Sequence, residues 1–166
     1  ALGALLNKEH VSSLEGEISF LKASTESLDL QSLLIDSVDG ERAYPLLIGQ
    51  LDFLGSRLDE LAGRLTKYEE SRKFGESFKN LKEQYTNLLV RDWLFVQKTK
   101  LLCENTSVET ILYFYTNEGC PDCTNQGVVL DVEKRKEGQS LLVLPIDSDL
   151  DLPIVGAMKD IYNVTS

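Results

Sequence analysis

Apolar residues recur at helical spacing through the first hundred residues of the chain. A first stripe, spaced by three, four and seven residues, consists of Val11, Leu14, Ile18, Leu21 and Leu28. A second stripe alternates spacings of four and three and consists of Leu47, Leu51, Leu54, Leu58, Leu61, Leu65 and Tyr68. Such spacing places apolar side chains on one face of an α-helix. The pattern therefore predicts two helices, separated by the turn-rich segment 36–45, "DSVDGERAYP".

The phase of the second stripe breaks at residues 69–77, "EESRKFGES", and a third stripe begins there. It consists of Phe74, Phe78, Leu81, Tyr85 and Leu88, and Phe95 continues it. A break that contains Gly75 and serines is typical of a turn between antiparallel helices, with a coiled-coil stutter as the alternative. Residues 1–104 are therefore expected to form an α-helical hairpin with a preceding helix. The stripes serve either packing within one chain or a coiled coil between two chains, because a heptad pattern does not distinguish these partners.

The pattern changes near residue 105, where β-branched and aromatic residues replace the helical stripes. The segments 108–116, "VETILYFYT", and 140–149, "SLLVLPIDSD", are typical of strands. The segments 124–138 and 150–164 suit helices, the second with Pro153 in its first turn. The order strand, helix, strand, helix predicts a βαβα unit with a parallel pair of strands. The fold class expected for the whole chain is α/β with an N-terminal helical region.

Charge and composition exclude several classes of function. The chain has 166 residues and a formal net charge of -10. An acidic surface repels phosphate backbones, which argues against nucleic acid as a partner. No segment reaches the roughly 18 apolar residues of a membrane-spanning helix. The sequence does not begin with Met, which leaves room for a segment upstream of residue 1, such as a membrane anchor.

Cysteine and histidine are scarce in this chain. Cys103, Cys120 and Cys123 are too few for the disulfide framework of a small secreted domain. The single histidine, His10, lies far from the cysteine pair in sequence, which disfavours a Cys–His nucleophile and predicts a solvent-facing residue. Cys103 is expected to be a small buried side chain, with a third redox partner or an intermolecular disulfide as the alternative.

The cysteine pair lies where the first predicted strand ends and a helix begins, in "NEGCPDC". Cys120 at the N-cap would face the unpaired N–H groups of the first turn, which stabilise a thiolate. Pro121 suits the first helical position, and Cys123 follows one turn later on the same side, within reach for a disulfide. This placement favours thiol–disulfide exchange. The alternatives are a structural disulfide or half of a zinc site, which would need a second chain because zinc binds four ligands.

The segment "ILYFYTNEGCPDC", followed by a helix, an apolar strand and another helix, resembles the first half of a thioredoxin-like domain. The resemblance covers residues 108–166. It implies a thioredoxin-like domain at residues 105–166, an incomplete βαβα portion whose C-terminal half is missing. It also implies Cys120 as the attacking thiolate and Cys123 as the resolving thiol, with no cofactor and no metal. The implied partners are protein or small-molecule disulfides and thiols.

Three features differ from the thioredoxin pattern. Gly119 stands where a tryptophan usually precedes the first cysteine. Phe114 replaces the usual buried aspartate, which leaves proton acceptance from the resolving thiol to Asp122 or Glu118. The family's cis-proline loop is expected to begin where the sequence stops, at Ser166. In addition, Asp122 lies between the two sulfurs and opposes thiolate formation, which predicts a reducing pair rather than a strong oxidant.

The order of helices before such a domain is also similar to that of uncharacterised membrane-anchored prokaryotic thioredoxin-like proteins. This resemblance favours a soluble domain tethered to a membrane over a free cytoplasmic protein. Two hypotheses for function remain. In the first, the chain is a thiol–disulfide oxidoreductase whose N-terminal helices form a homodimer or a tether. In the second, it is a helical adaptor that carries a redox-inactive thioredoxin-like module. The reactivity of Cys120 distinguishes the two hypotheses.

Overall fold

The computed structural model describes residues 2–71, 74–102 and 108–165 of the chain. The chain divides into two compact units, residues 1–95 and 96–166, and each is described below by itself. The domain boundary expected after residue 104 falls among residues 103–107, which lie outside the described residues, and Cys103 lies there too. The division between the two compact units falls inside α3, the helix Glu76–Leu102.

The first unit consists of α1 (Leu2–Ser37), α2 (Gly40–Glu70) and most of α3 (Glu76–Leu102). The second predicted stripe is confirmed as the buried face of α2, with Leu47, Leu54, Leu58, Leu61 and Leu65 buried. The other helices of this unit bury Leu28, Ile35, Phe78, Leu81, Leu88 and Phe95. The side chains of the remaining members of the first stripe, and that of His10, lie outside the described side chains.

Contacts between α1 and α2 show that these helices run antiparallel. Arg57 lies 4.3 Å from the centroid of the Phe20 ring, a cation–π contact. Gln31, which lies eleven residues after Phe20 in α1, accepts a hydrogen bond from Gln50. Gln50 lies seven residues before Arg57 in α2. The sequence numbers of the paired residues therefore change in opposite directions.

The third helix completes a bundle of three helices. Tyr68 near the end of α2 contacts Phe78 near the start of α3, with ring centroids 6.4 Å apart. Further along α3, Arg91 forms an ion pair with Asp29 of α1 at 2.5 Å. Helix α2 ends at Glu70 and α3 begins at Glu76, so the predicted break between two helices is confirmed. In the third stripe, Phe78, Leu81 and Leu88 are buried, whereas Phe74 is exposed to 64%.

The connection between α1 and α2 is shorter than the sequence pattern indicated. Only Val38 and Asp39 separate the two helices. Asp39 is the N-cap of α2, and its Oδ1 accepts a hydrogen bond from the Arg42 N–H at 3.0 Å. Because aspartate satisfies a free N–H of the first turn, α2 begins at Gly40 and includes Pro45. The expected turn over residues 36–45 is therefore largely helix.

The second unit contains a two-stranded sheet and two helices that follow its strands. The strands are β1 (Glu109–Tyr115) and β2 (Leu141–Asp147), and the helices are α4 (Pro121–Glu137) and α5 (Pro153–Tyr162). A short 3₁₀ turn, Gly138–Ser140, joins α4 to β2. The strands pair in parallel, with Glu109 opposite Leu141 and Tyr115 opposite Asp147. The predicted order of strand, helix, strand and helix is confirmed, and the chain combines α and β structure.

A small set of apolar residues from β2, α4 and α5 is buried in the second unit. Leu144 and Ile146 alternate with the partly exposed Pro145 in β2, as expected for a strand with one covered face. Leu130 of α4 and Val155 of α5 are also buried. Pro153 begins α5, as the sequence predicted. Among the described residues, no helix combines the length and apolar character needed to cross a bilayer.

Candidate redox site

The cysteine pair occupies the first turn of α4. Cys120 is the N-cap and Pro121 is the first helical residue. The Cys123 N–H donates to the Cys120 Sγ at 3.2 Å and to the Cys120 carbonyl oxygen at 3.1 Å. Cys120 and Cys123 form a disulfide, and their Cα atoms lie 5.3 Å apart. The predicted capping position and disulfide reach are therefore confirmed, and the structure represents the oxidised form of the pair.

The pair lies at the surface of its unit. Both cysteines are half-buried, whereas Pro121 and Asp122 between them are exposed. The loop before the pair is exposed from Asn117 to Gly119. A reagent or a substrate disulfide can therefore approach from solvent, as thiol–disulfide exchange requires.

Gly119 has a backbone conformation that disfavours the tryptophan of the thioredoxin pattern. Its φ is +72°, in the left-handed region, and a Cβ at this position would meet no atom within 4 Å. The obstacle to a larger residue is therefore the backbone itself, which costs an L-residue about 1–2 kcal/mol in this region. Glycine is the residue that lets this loop enter α4 without such strain.

A tyrosine of β1 holds the first turn of α4, and the sequence analysis did not identify it. The Tyr113 hydroxyl donates a hydrogen bond to the carbonyl oxygen of Cys123. The Tyr113 ring also stacks on Tyr115, with centroids 5.8 Å apart, because alternate residues of a strand share one face. Phe114 between them is half-buried and brings no carboxylate to the sheet. The available signal in the sequence was the run of three aromatic residues "YFY", whose two tyrosines share one face of a strand.

A second missed feature is a hydrogen-bonded cluster where the two parallel strands end. The side-chain nitrogen of Asn117, after β1, donates to Asp147 Oδ2 at 2.8 Å and to Asp149 Oδ2 at 3.0 Å. The Asn117 backbone N–H also donates to Asp149 Oδ2, at 2.7 Å. Asp147 is only 2% exposed, and its Oδ1 accepts the Asp149 N–H at 2.9 Å. The signal was the presence of polar residues after both strands, whose carboxyl ends lie at one edge.

The charged side chains at the two ends of α4 have the signs that the helix dipole favours. Asp122 lies in the first turn, and Lys134, Arg135 and Lys136 lie in the last. This distribution suits the helix dipole, which favours anions at the N-terminus and cations at the C-terminus. At the basic end, a hydrogen bond of 2.7 Å from Lys136 to Glu133 raises the pKa of the Lys136 ammonium. The cysteine pair thus lies at the end of α4 that stabilises a thiolate.

The remaining candidate residues take no part in this cluster. Glu118 lies two positions before Cys120 and Asp122 two positions after it, and both side chains are exposed. Within residues 2–71, 74–102 and 108–165, no three His, Cys, Asp or Glu side chains are grouped as the ligands of a metal ion would be.

Comparisons of the chain with protein-family models, with curated proteins and with solved structures found no match.

Proposed function

We propose that the chain is a thiol–disulfide oxidoreductase, and that residues 105–166 form a thioredoxin-like unit which carries out the exchange. The observation that supports this proposal most directly is the Cys120–Cys123 disulfide at the N-terminus of α4, immediately after a strand of a parallel pair. A thiol at a helix N-terminus has a lowered pKa because free N–H groups and the helix dipole stabilise its anion. The partial exposure of both sulfur-bearing residues leaves them accessible.

The exchange begins from the reduced pair. The Cys120 thiolate attacks one sulfur of a substrate disulfide, the substrate S–S bond breaks, and the leaving sulfur departs with the electron pair and takes up a proton. Cys123 then loses its proton and attacks the Cys120 sulfur of the mixed disulfide. The second substrate thiolate leaves and is protonated. The substrate gains two electrons and two protons, and the Cys120–Cys123 disulfide is formed. A dithiol of another molecule would restore the reduced pair by the reverse steps.

The local charges favour the reducing direction in this proposal. Asp122 places a carboxylate between the two cysteines in the first turn of α4. A nearby negative charge raises the pKa of a thiol and so stabilises the disulfide relative to the dithiol. Asp122 thus acts against the helix dipole, and the pair is a better electron donor than one without the carboxylate.

The helical unit would supply attachment, either to a second copy of the chain or to another protein. On α1, Leu30, Leu33 and Leu34 are spaced by three and four residues and are all more than half exposed. Such spacing places them on one helix face, in the pattern of a helix-to-helix contact. This exposed leucine face of α1 also favours the second candidate function, a helical adaptor with an inert cysteine pair.

Alkylation of the reduced chain as a function of pH, with each cysteine assigned by mass spectrometry, tests the proposal. We expect Cys120 to react with a midpoint clearly below the value of about 8.5 for a free thiol, and Cys123 to lag. A Cys103→Ser variant removes the third thiol and should leave the Cys120 midpoint unchanged. If both cysteines of the pair titrate like free thiols, or react only in denaturant, the oxidoreductase proposal fails and the adaptor is favoured.

Equilibration of the same reduced chain with glutathione redox buffers tests the direction of exchange. We expect a reduction potential nearer to the value of about −270 mV of a reducing thioredoxin than to the value of about −120 mV of a strong oxidant. An Asp122→Asn variant should have a less negative potential, because it removes the charge that opposes the thiolate. A wild-type reduction potential close to about −120 mV would contradict the reducing assignment.

A further inference from the structure

Asn117 attaches the loop that carries Cys120 to the end of β2 and to the segment that follows it. Asn117 lies three positions before Cys120, and both its backbone N–H and its side chain bond to residues that follow β2 or end it. Within the loop, the Thr116 hydroxyl donates to the Glu118 carbonyl at 3.2 Å. Beside it, the Ser148 N–H donates to the Tyr115 carbonyl at 2.8 Å, which joins the ends of the two strands.

The chemistry of these contacts requires an amide at position 117. The two acceptors, Asp147 and Asp149, are carboxylates, and both bond to one nitrogen that carries two hydrogens. A carboxamide is neutral and offers two donors from one short side chain, so it satisfies both carboxylates without adding charge. An aspartate of the same shape would place three carboxylates together, and like charges at such distances repel.

We propose that Asn117 is a positioning residue for Cys120. Its amide joins the loop after β1 to Asp147 and Asp149, and this attachment holds the Cys120 sulfur over the first turn of α4, where the Cys123 N–H bonds to it. When the attachment is removed, the N-cap is held less well and the thiolate loses part of its stabilisation. This inference rests on the proposed exchange function, because it concerns the reactivity of Cys120.

Other acidic residues lie in the loop and in the segments next to it in sequence, and the test takes them into account. Glu118 belongs to the loop itself, Asp122 belongs to the first turn of α4, and Asp151 follows the two aspartates in the segment after β2. All of them are acidic, so a new carboxyl group at position 117 would meet negative charge from each neighbouring segment. Its own pKa would therefore be raised.

The test uses the full chain with Cys103→Ser, reduced, and a dipyridyl disulfide as the thiol probe. The rate at Cys120 is measured against pH for wild type, Asn117→Ala and Asn117→Asp. We expect Asn117→Ala to slow the reaction at neutral pH by about threefold to tenfold, as for a thiol pKa raised by up to about one unit. The control Gln139→Glu makes the same amide-to-carboxyl change at an exposed position before the amino end of β2 and should react like wild type.

The pH profile separates positioning from a general loss of structure. Below the thiol midpoint, the logarithm of the rate for wild type and for Asn117→Ala should rise with pH at unit slope, since only the thiolate reacts. For Asn117→Asp we expect a bend to a lower slope at the pKa of the new carboxyl, because its ionisation repels Asp147 and Asp149 and releases the loop. Unit slope without a bend, together with wild-type rates for both variants, would overturn the proposal.

A second variant covers the case in which Asn117→Ala does not fold. Asp149→Ala removes an exposed carboxylate that accepts both the Asn117 backbone N–H and one of its side-chain bonds, and it leaves the bond from Asn117 to Asp147. It should therefore slow Cys120 in the same direction. Unchanged reactivity in a folded Asp149→Ala variant would contradict the proposal. If wild-type Cys120 itself titrates like a free thiol, the exchange function has failed and the positioning role fails with it. A lowered wild-type midpoint with unaffected variants rejects the positioning role alone.

Discussion

The two units of this chain depend on their residues in different ways. In the helical unit the same kind of buried position repeats along a helix. Leu47, Leu54 and Leu61 lie seven residues apart in α2, and all three are buried. In the strand–helix unit single positions have single roles: Gly119 turns the chain, Cys120 caps α4 and Asn117 joins two strand ends. Stability in the first unit is distributed over many similar contacts, whereas the loop and first turn around Cys120 in the second unit depend on a few residues that no neighbour can replace.

The largest effect should come from the buried face of the bundle. Leu54 is 0% exposed, so Leu54→Ala should lower the free energy of unfolding by about 2–5 kcal/mol through lost burial and a cavity. Leu30 is 69% exposed, and Leu30→Ala should change that free energy by no more than about 0.5 kcal/mol. Urea unfolding followed by circular dichroism measures both. Equal effects of the two variants would show that the stripe is not the source of stability.

Two glycine substitutions in the second unit should change the free energy of unfolding by intermediate amounts and in opposite directions. Gly119→Ala places a side chain at a φ of +72° and should destabilise by about 1–2 kcal/mol. Gly127→Ala lies inside α4, where a Cβ meets no atom within 4 Å, and should stabilise by about 0.5–1 kcal/mol. Thermal unfolding of the two variants checks this pair. A stabilising Gly119→Ala would mean that the loop does not need its left-handed residue.

The smallest effect should come from the exposed pair at the end of α4. The pKa of Lys136 is raised from 10.5 chiefly by Glu133, so its contribution to stability is present below about pH 10.5 and is lost as the pH rises above the raised value. Glu133→Gln should lower the Lys136 pKa, which an NMR titration of the ammonium measures, without a measurable change in unfolding at neutral pH. Glu137→Gln, which removes a weaker influence, should lower that pKa less.

Features that depend on neighbours in sequence could be predicted from the sequence. The period of the α2 stripe and the capping position of Cys120 involve residues three or four apart, so their geometry follows from the helix itself. The parallel pairing of β1 and β2 was also predicted, because parallel strands need a crossover connection and a helix lies between these two strands. The early start of α2 was missed because the cap at Asp39 outweighs the turn signals around Pro45.

Features that depend on distant residues could not be predicted in this way. The bonds from Asn117 to Asp147 and Asp149 span about thirty residues and exist because the register places Tyr115 opposite Asp147. Alternation along a strand does not fix which residues of a second strand lie opposite. The bond from Tyr113 to the Cys123 carbonyl likewise depends on how α4 lies against the sheet. Sequence reasoning found the two cysteines and missed the groups that hold their turn in place.

The shortness of the ring that the disulfide closes has a consequence for the whole molecule. Cys120 and Cys123 are separated by three positions, so their bond restrains a loop of about four residues. On the chain-entropy scale such a loop is worth roughly 2 kcal/mol, well below the value of about 4.7 kcal/mol for a hundred-residue loop. Most of that restraint is also imposed by the first turn of the helix. In the proposed exchange, the oxidised and reduced chains would therefore share one architecture, and electrons would enter and leave without a refolding step between turnovers.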